Sequence, residues 1–294
     1  MHWTDSLVIV FGLVTFGVEW MLLRVHGRNV DFSQTALNLS LGMIERLFAL
    51  LSLSFGLWLT TEMLGLRVLD SIQPGWLNFL AAFIGVDLFW YLYHRISHRV
   101  SIVWVAHLVH HQPEEYNLSV NFANSPLGYF VRVLVYSPLV LFGIEPEYIV
   151  LANIINGFYQ ALLHSELWPA WVGLERFIVT PRYHQIHHSS ARAHLDKNYG
   201  GIFSFWDRMF GTYADERDDD KPVYGIRKPL GSWNPLWANL HHYVQIGRQV
   251  KAARNWRHRL MHVFAKPSWS PEKEDATEVF RAETFSRFDT PETG

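Results

Sequence analysis

Apolar residues form five long runs in the first 163 positions of the chain. A helix needs about 20 mostly apolar residues to cross a membrane whose hydrocarbon core is about 30 Å thick, and each run approaches that length. The runs cover residues 7–23, 47–64, 76–93, 128–143 and 148–163. We therefore predict an all-α protein, an integral membrane bundle of about four to five transmembrane or re-entrant helices. A soluble bundle of buried helices is the alternative.

Basic residues near the ends of these runs predict the orientation, because cytosolic loops are enriched in Lys and Arg. Arg24, Arg28 and Arg46 lie between the first two runs, whereas the connections after the second and fourth runs contain one basic residue and none. Alternating sides then place the first loop, all the histidine-rich segments and the C-terminal tail together in the cytosol. Pro138 interrupts the fourth run, so the fourth and fifth runs are either two spans or one re-entrant pair.

The character of the chain changes after Trp168, where polar residues and histidines replace the apolar runs. Residues 235–259 mix apolar side chains with many Arg and Lys residues, which predicts one helix that lies on the membrane surface or on the bundle. The charged residues 215–221 predict a solvated loop. The polar, acidic stretch beyond Lys266 predicts a loosely ordered tail.

Composition narrows the possible functions. Charged residues make up 18% of the chain, less than the quarter or so that is usual in soluble proteins. The formal net charge of −2 argues against a nucleic-acid partner. The sequence contains no cysteine, which excludes disulfides, iron–sulfur clusters and a thiolate-ligated haem.

Histidines recur in three clusters of matching spacing, HRISH from His94, HLVHH from His107 and HQIHH from His184, with His164 between the last two. Spacings of three and four residues place side chains on one face of a helix, close enough for two imidazoles to hold one metal ion. Neutral imidazole suits Fe, Zn, Cu and Ni. Eight or nine such histidines without cysteine predict a metal centre.

Asp87 is a candidate partner for this centre, since it lies seven residues before His94 and shares its helix face. A carboxylate inside a membrane span costs roughly 2.5–3.5 kcal/mol, so it needs a partner. Metal-bound imidazoles commonly donate their free N–H to a carboxylate, and we expect Asp87 to accept such a bond. The alternative is an ion pair with Arg95.

The three histidine clusters resemble the histidine boxes of the fatty acid hydroxylase/sterol desaturase superfamily of membrane di-iron oxygenases. DLFWYLYHR from Asp87, HHQPEEYNLS from His110 and KNYGGIFSFWDRMFGTY from Lys197 are similar to that superfamily as well. Within it, EEYNLS, the HSE triplet at His164 and DKNYGG resemble the alkylglycerol monooxygenase branch and its bacterial relatives. The resemblance implies a catalytic domain over residues 75–213, preceded by N-terminal transmembrane helices in 1–74 and followed by a cytosolic helix and polar tail in 214–294.

The resemblance also implies a cytosolic helical cap with two iron ions and O2 as co-substrate. The implied metal ligands are His94, His98, His107, His110, His111, His164, His184, His187 and His188. Asp87, Glu166 and Asn198 are implied beside them as catalytic-site residues, with Glu166 orienting His164; for Asn198, a turn-forming role is the alternative. His194 is expected to lie outside the metal centre, and Asp207 is a further supporting candidate.

The function predicted is that of a membrane-bound, O2-dependent lipid hydroxylase that acts on a C–H bond of a membrane lipid. A lipid or sterol desaturase of the same superfamily is one alternative, and a membrane metal-binding or transport protein is another. A multi-pass protein of a bacterial inner membrane or the endoplasmic reticulum is expected, with its active site on the cytosolic face.

An external electron donor is also expected, because the sequence lacks iron–sulfur ligands, a haem motif and a G-x-G-x-x-G turn for a flavin or nicotinamide. A ferredoxin, a cytochrome b5 or a reduced pterin would serve. Five basic residues in the C-terminal helix are the predicted docking surface for a protein donor, with anionic lipid headgroups as the alternative partner. They are Arg248, Lys251, Arg254, Arg257 and Arg259.

Overall fold

The computed structural model describes residues 3–28, 30–168, 171, 173–215 and 221–272, although the side chains of 3–13, 49, 50, 52 and 53 lie outside that description. Over these residues the chain forms eleven α-helices and no β-strand, with one isolated antiparallel bridge between Ile178 and Phe203. The all-α prediction is therefore confirmed for this part of the chain.

The helices fall into three consecutive groups along the sequence. The first group is α1 (Trp3–Val25), α2 (Phe32–Leu47) and α3 (Ala49–Gly65). The second group is α4 (Gly75–Arg99), α5 (Ser101–His111), α6 (Pro126–Tyr136) and α7 (Pro146–Leu163). The third group is α8 (Pro181–His187), α9 (Phe205–Met209), α10 (Pro235–Ala252) and α11 (Trp256–Phe264). The division into 1–74, 75–213 and 214–294 remains a prediction.

Helix α4 is the central element, and it packs against α5, α6 and α7. Its buried face includes Ala82 and Val86, which join a core cluster with Leu139, Ile149 and Ala152. Among the described residues it is the one helix that is both long and apolar enough to cross a membrane. It continues past the predicted end of the third apolar run, so that His94 and His98 lie on its last two turns.

The other apolar runs agree with the predicted spans less closely. The run at 128–143 forms α6 and then a 3₁₀ helix from Ser137 to Phe142, because Pro138 lacks the N–H that would continue the α-helix. The resulting apolar segment, Pro126–Phe142, is shorter than a usual span. The run at 7–23 falls within α1, and the run at 47–64 begins at the last residue of α2 and continues through most of α3. Several of their side chains lie outside the described residues. A multi-pass topology therefore stays a prediction.

The single helix predicted for residues 235–259 is wrong, because the chain breaks between α10 and α11. Ala253 leaves the helix in an extended conformation, and Asn255 caps α11 by accepting a 2.8 Å hydrogen bond from the backbone N–H of His258. Asn favours such caps because its side-chain oxygen satisfies an otherwise free N–H. The short α11 then contacts α5, where the Ser101 N–H donates to the carbonyl of Ala265 at 2.9 Å. Within the loop predicted at 215–221, residues 216–220 lie outside the described residues, as do residues 273–294 of the tail.

The segment that follows α5 is tied to the first two helices by polar side chains. Glu19 on α1 accepts the backbone N–H of Leu118 at 2.7 Å. On α2, the buried Asn38 donates to Ser119 at 2.9 Å, and Gln34 accepts the N–H of Glu115 at 3.0 Å. These bonds secure the chain directly after His111, where it leaves the histidine-bearing helix.

Candidate metal centre

Nine histidine side chains converge into two neighbouring groups, and within each group the potential ligand nitrogens all lie within 4.8 Å of one another. The five-histidine cluster consists of His94, His98, His107, His111 and His187. The four-histidine cluster consists of His110, His164, His184 and His188. These are the nine histidines that the sequence singled out, and the fold brings all of them together.

Each HxxHH box serves both clusters because of the helical repeat. On α5, His107 and His111 are four residues apart and face the five-histidine cluster, while His110 faces the other. The box on α8 is divided in the opposite sense, with His187 in the five-histidine cluster and the pair His184 and His188 in the four-histidine cluster. Two short helices thereby supply ligands to two sites.

The spacing of the imidazole nitrogens fits metal coordination. The Nε2 atoms of His94 and His107 lie 2.9 Å apart, and those of His111 and His187 lie 3.1 Å apart. Two nitrogens that bind one ion at about 2.1 Å with a right angle between them are about 3.0 Å apart. In the four-histidine cluster, the Nε2 of His164 lies 3.1 Å from that of His110.

Hydrogen bonds on the far side of three rings fix the direction in which their Nε2 atoms point. The Nδ1 atoms of His94 and His187 donate to the carbonyls of Tyr199 and Lys197 at 2.9 and 3.0 Å. The Nδ1 of His164 donates to the carbonyl of Gln160 at 2.9 Å. A carbonyl only accepts, so each Nδ1 carries the proton and each Nε2 presents a bare lone pair. Metal-ligating histidines have this arrangement.

Burial also keeps the imidazoles uncharged. It lowers the pKa of His187 to about 4, and it lowers the pKa values of His184 and His188 well below 6.5, with neighbouring histidines adding to the effect at the latter two. Neutral imidazole is the form that binds metal. Lone pairs that face one another at about 3 Å inside a protein need a cation between them, and the side chains present fit a metal ion in each cluster.

The same region matches a known family. Residues 79–212 match the family model described as Fatty acid hydroxylase. This stretch of the chain belongs to that family. It includes all nine histidines of the two clusters.

Named relatives extend the similarity beyond the domain. The chain is 36% identical over 193 residues to human alkylglycerol monooxygenase, covering 66% of this chain and 43% of that protein. It is 33% identical over 268 residues to alkylglycerol monooxygenase of Danio rerio, covering 89% of this chain and 58% of that protein. Ornithine lipid hydroxylase OlsE of Rhizobium tropici is 27% identical over 141 residues, 46% of this chain and 41% of that protein. The chain spans about half the length of these relatives, and no solved structure matches it significantly.

Asp87 lies in the fatty acid hydroxylase domain, but the hydrogen bond predicted from it to a ligating histidine is wrong. Its carboxylate accepts the backbone N–H groups of Ile202 and Phe203 at 2.6 and 3.1 Å, together with the side chains of Trp206 and Asn156. The alternative ion pair with Arg95 is not formed either, since that guanidinium donates to the Tyr91 hydroxyl at 3.1 Å. Free backbone N–H groups of the loop before α9 are the partners of the carboxylate.

Glu166 was predicted to orient His164, but the two side chains are not bonded to each other. The Nδ1 of His164 donates to the carbonyl of Gln160. This carbonyl is one of the last of α7, so no backbone N–H within the helix is available to it. Glu166 instead lies 3.8 Å from Arg28. Any part that Glu166 plays in the site therefore does not pass through the His164 ring.

Asn198 holds two segments together next to the site. It has a left-handed backbone (φ 59°), donates to the carbonyls of Tyr183 and Ala214 at 3.1 and 2.9 Å, and accepts the Ala214 N–H at 2.7 Å. Tyr183 directly precedes His184 on α8. The contacts combine the turn-forming and supporting roles that the sequence left open, and a catalytic role for Asn198 remains a prediction. His194 lies outside both clusters, bonded to Ser189 at 2.9 Å.

Two tyrosines line the clusters of the fatty acid hydroxylase domain, and the sequence did not single them out. The fully buried Tyr199 has its ring centre 5.3 Å from that of His98 and 5.6 Å from that of His94. The ring of Tyr116 lies 5.2 Å from His188. The tyrosines of EEYNLS and KNYGG were visible as parts of motifs, but spacing along the chain did not indicate that they pack on the imidazoles.

Proposed function

We propose that this chain is a membrane-bound, O2-dependent lipid hydroxylase with two iron ions, one in each histidine cluster. The observation that carries the proposal is the convergence of nine buried or half-buried imidazoles into two groups with nitrogen spacings that suit metal ions. Relatives named as monooxygenases and hydroxylases of lipids support the reaction class. When bound, the iron pair would supply the redox chemistry that activates O2 for attack on an unactivated C–H bond.

The chain's own residues hold the metals and keep water away. Nine neutral imidazoles favour Fe over Mg or Ca, which prefer oxygen ligands. Tyr116 and Tyr199 are buried against the rings and cover them with apolar surface. Asp87 and Asn198 shape the loop and the helix that support the ligands, and we propose that their contribution to catalysis is made through these contacts.

The membrane is the source of the substrate in this proposal. His94 and His98 lie at the end of α4, the candidate span, so a lipid chain beside that helix would reach the five-histidine cluster where the helix leaves the bilayer. Exposed apolar side chains follow α4 at Leu80, Ile84 and Ile96. We propose a multi-pass protein whose clusters lie on the cytosolic side, as the basic residues around the first two apolar runs indicate.

The lipid class that we favour is an alkylglycerol or a related ether lipid. The relatives with the highest identities reported above are alkylglycerol monooxygenases, and one of them aligns with 89% of this chain. An ornithine lipid is the second candidate, because of the more distant hydroxylase relative. We propose insertion of one oxygen atom as the outcome, with removal of two hydrogen atoms as the alternative within the same superfamily.

The test is substrate-dependent O2 consumption by the purified, iron-loaded protein in lipid nanodiscs. An alkylglycerol should stimulate O2 uptake in the presence of a donor system, and the product should contain one additional oxygen atom derived from labelled O2. The matched control substrate is the ester-linked lipid of equal chain length, and the matched control protein is His110→Ala. Metal binding without O2 uptake on any of these lipids would favour a metal-binding or transport protein instead.

A further inference from the structure

Residues 197–204, here called the glycine loop, run between two fully buried carboxylates, Asp87 and Asp207. We infer that these carboxylates are positioning residues that hold the glycine loop so that two of its backbone carbonyls orient His94 and His187 of the five-histidine cluster. Asp87 serves that metal site only, whereas Asp207 also accepts the hydroxyl of Tyr183 on α8, next to His184 of the other cluster. The inference rests on the proposed function in one respect, namely that each cluster binds its own metal ion.

Asp207 holds the first half of the loop. One carboxylate oxygen accepts the backbone N–H of Tyr199 at 2.9 Å, and the other accepts that of Gly200 at 2.7 Å. The same carboxylate also accepts the hydroxyl groups of Thr212 and Tyr183. Hydrogen bonds to an ionised acceptor are about twice as strong as neutral ones, so this carboxylate is an effective anchor for backbone N–H groups.

Asp87 holds the second half of the loop. It accepts the N–H groups of Ile202 and Phe203 at 2.6 and 3.1 Å and the indole N–H of Trp206 at 2.9 Å. Asn156 on α7 supplies a further donor at 2.7 Å. Asp87 lies on α4, the helix that carries His94, so the loop is fixed relative to the helix whose ligand it orients.

The two glycines of the loop allow this close approach. A Cβ atom on Gly201 would lie 2.7 Å from the Asp87 carboxylate and 2.8 Å from the Trp90 ring. A Cβ atom on Gly200 would lie 2.6 Å from the Phe203 carbonyl. These separations are shorter than van der Waals contact, so any side chain at either position would push the loop away from its anchors.

Two backbone carbonyls of the same segment connect the glycine loop to the five-histidine cluster. Those of Lys197 and Tyr199 accept the Nδ1 protons of His187 and His94, both members of the five-histidine cluster. In the four-histidine cluster, His164 is oriented by the Gln160 carbonyl of its own helix, without the loop. Loss of such an outer partner typically lowers metal affinity by 10–100-fold. Displacement of the glycine loop should therefore weaken one site and spare the other.

In the experiment, the metal-free protein in nanodiscs is titrated with Co²⁺. The visible spectrum of bound Co²⁺ reports the occupancy of each histidine site, so the titration gives two dissociation constants. Asp87→Asn and Gly201→Ala are the test variants, because neither residue touches α8. Gly201→Ala also keeps every charge and hydrogen-bonding group. Asp70→Asn is the matched control, since it removes the same charge from an exposed aspartate in the connection between α3 and α4.

We expect one dissociation constant to rise at least tenfold in both test variants, while the other dissociation constant and the control remain within about twofold of wild type. Adding His164→Ala to Asp87→Asn should abolish the remaining tight site, whereas adding His94→Ala should leave it intact. Equal weakening of both sites, or two unchanged sites, would overturn the inference. A wild-type protein that binds fewer than two metal ions would instead refute the proposed function, so the two failures are distinguishable.

Discussion

The Nε2 atoms of His164 and His184 lie 3.1 Å apart, although the two residues are 20 positions apart in the chain. His164 directly follows α7, and His184 lies in the short α8, so this contact joins the ends of two helices. The Nδ1 proton of His164 is donated to Gln160, which leaves its Nε2 without a proton. The bare Nε2 lone pair of His164 lies 3.1 Å from the Nε2 atoms of both His110 and His184, so His164 is in contact with the α5 and α8 members of the four-histidine cluster.

Replacing His164 by alanine should therefore remove one metal ion and leave the other. The expected metal content of purified protein falls from about two ions per chain to about one, and lipid-dependent O2 uptake is lost. Elemental analysis and a thermal unfolding scan provide the measurement. The control is His194→Ala, because His194 is equally buried but lies outside both clusters, bonded to Ser189. A His164→Ala protein with two ions and full activity would contradict the assignment.

The metal-free protein should lose stability as the pH falls below about 6.5. Burial depresses the pKa of His187 to about 4, so in acid the unfolded chain binds a proton that the folded chain does not. The stability is complete above the unfolded pKa of about 6.5 and is lost as the pH falls towards 4. For this histidine alone the loss at pH 5.5 is about 1.4 kcal/mol.

Denaturation midpoints in detergent at pH 7.5 and 5.5 measure this effect. In His187→Gln, which lacks one depressed histidine, the difference between the two midpoints should be smaller than in the wild-type protein. Saturating metal should raise both midpoints without removing their difference, since bound metal keeps the ligand nitrogen of the folded protein free of protons while the unfolded chain still binds them. Equal pH dependence in the wild-type and variant proteins would show that His187 is not buried in its neutral form.

Eight of the nine histidines were predictable because a helical repeat was enough to identify them, whereas His164, a single histidine after α7, was named through the family resemblance. Spacings of three and four residues place imidazoles together on α4, α5 and α8 without knowledge of the tertiary fold. The same rule explains why the HxxHH boxes each contribute to two clusters, although the assignment of each histidine to its cluster needs the packing of the helices. The third apolar run ends at residue 93, whereas α4 continues to Arg99, because a helix does not have to end where its apolar residues do.

The contacts of Asp87 and Glu166 were not predictable in the same way. Asp87 bonds to the N–H of Ile202, 115 residues later, and no local spacing reports such a pair. The reasoning that a buried carboxylate needs donors was correct, but backbone N–H groups carry no signature in the sequence. The break before α11 had a signal in Asn255, a good capping residue, which the overall pattern of apolar and basic positions from 235 to 259 concealed.

Replacing Gly143 by alanine should destabilise the domain. Gly143 has a left-handed backbone (φ 81°), and a Cβ atom there would lie 2.1 Å from the Asp70 carbonyl. The backbone conformation alone costs an L-residue about 1–2 kcal/mol, and the clash adds to that cost. Gly247→Ala is the matched control, because Gly247 lies inside α10 with nothing within 4 Å of its Cβ position.

The control variant should be as stable as wild type, or more stable by up to about 1 kcal/mol, since alanine favours the helix interior. Urea or thermal denaturation of the three proteins in the same detergent gives the comparison. If Gly143→Ala were as stable as Gly247→Ala, the turn between the 3₁₀ helix and α7 would differ from the one described.

Turnover should require an electron donor other than NAD(P)H alone. We expect a protein donor of acidic surface to bind the exposed basic residues of this C-terminal region. Arg248 lies on α10, Arg254 in the break between the two helices, and Arg259 on α11. Opposite charges raise association rates at low salt, so Arg254→Glu should slow turnover with a ferredoxin or cytochrome b5 several-fold at low ionic strength and little at high ionic strength. Arg176→Glu, an equal charge reversal at an exposed site on a different segment, is the control.

Because a reduced pterin is small and diffusible, turnover with it should be the same in the wild-type protein and in both variants. Rates with NAD(P)H alone that match those with a complete donor system would refute the requirement, whereas a normal rate of Arg254→Glu with a protein donor at low salt would refute only the docking surface.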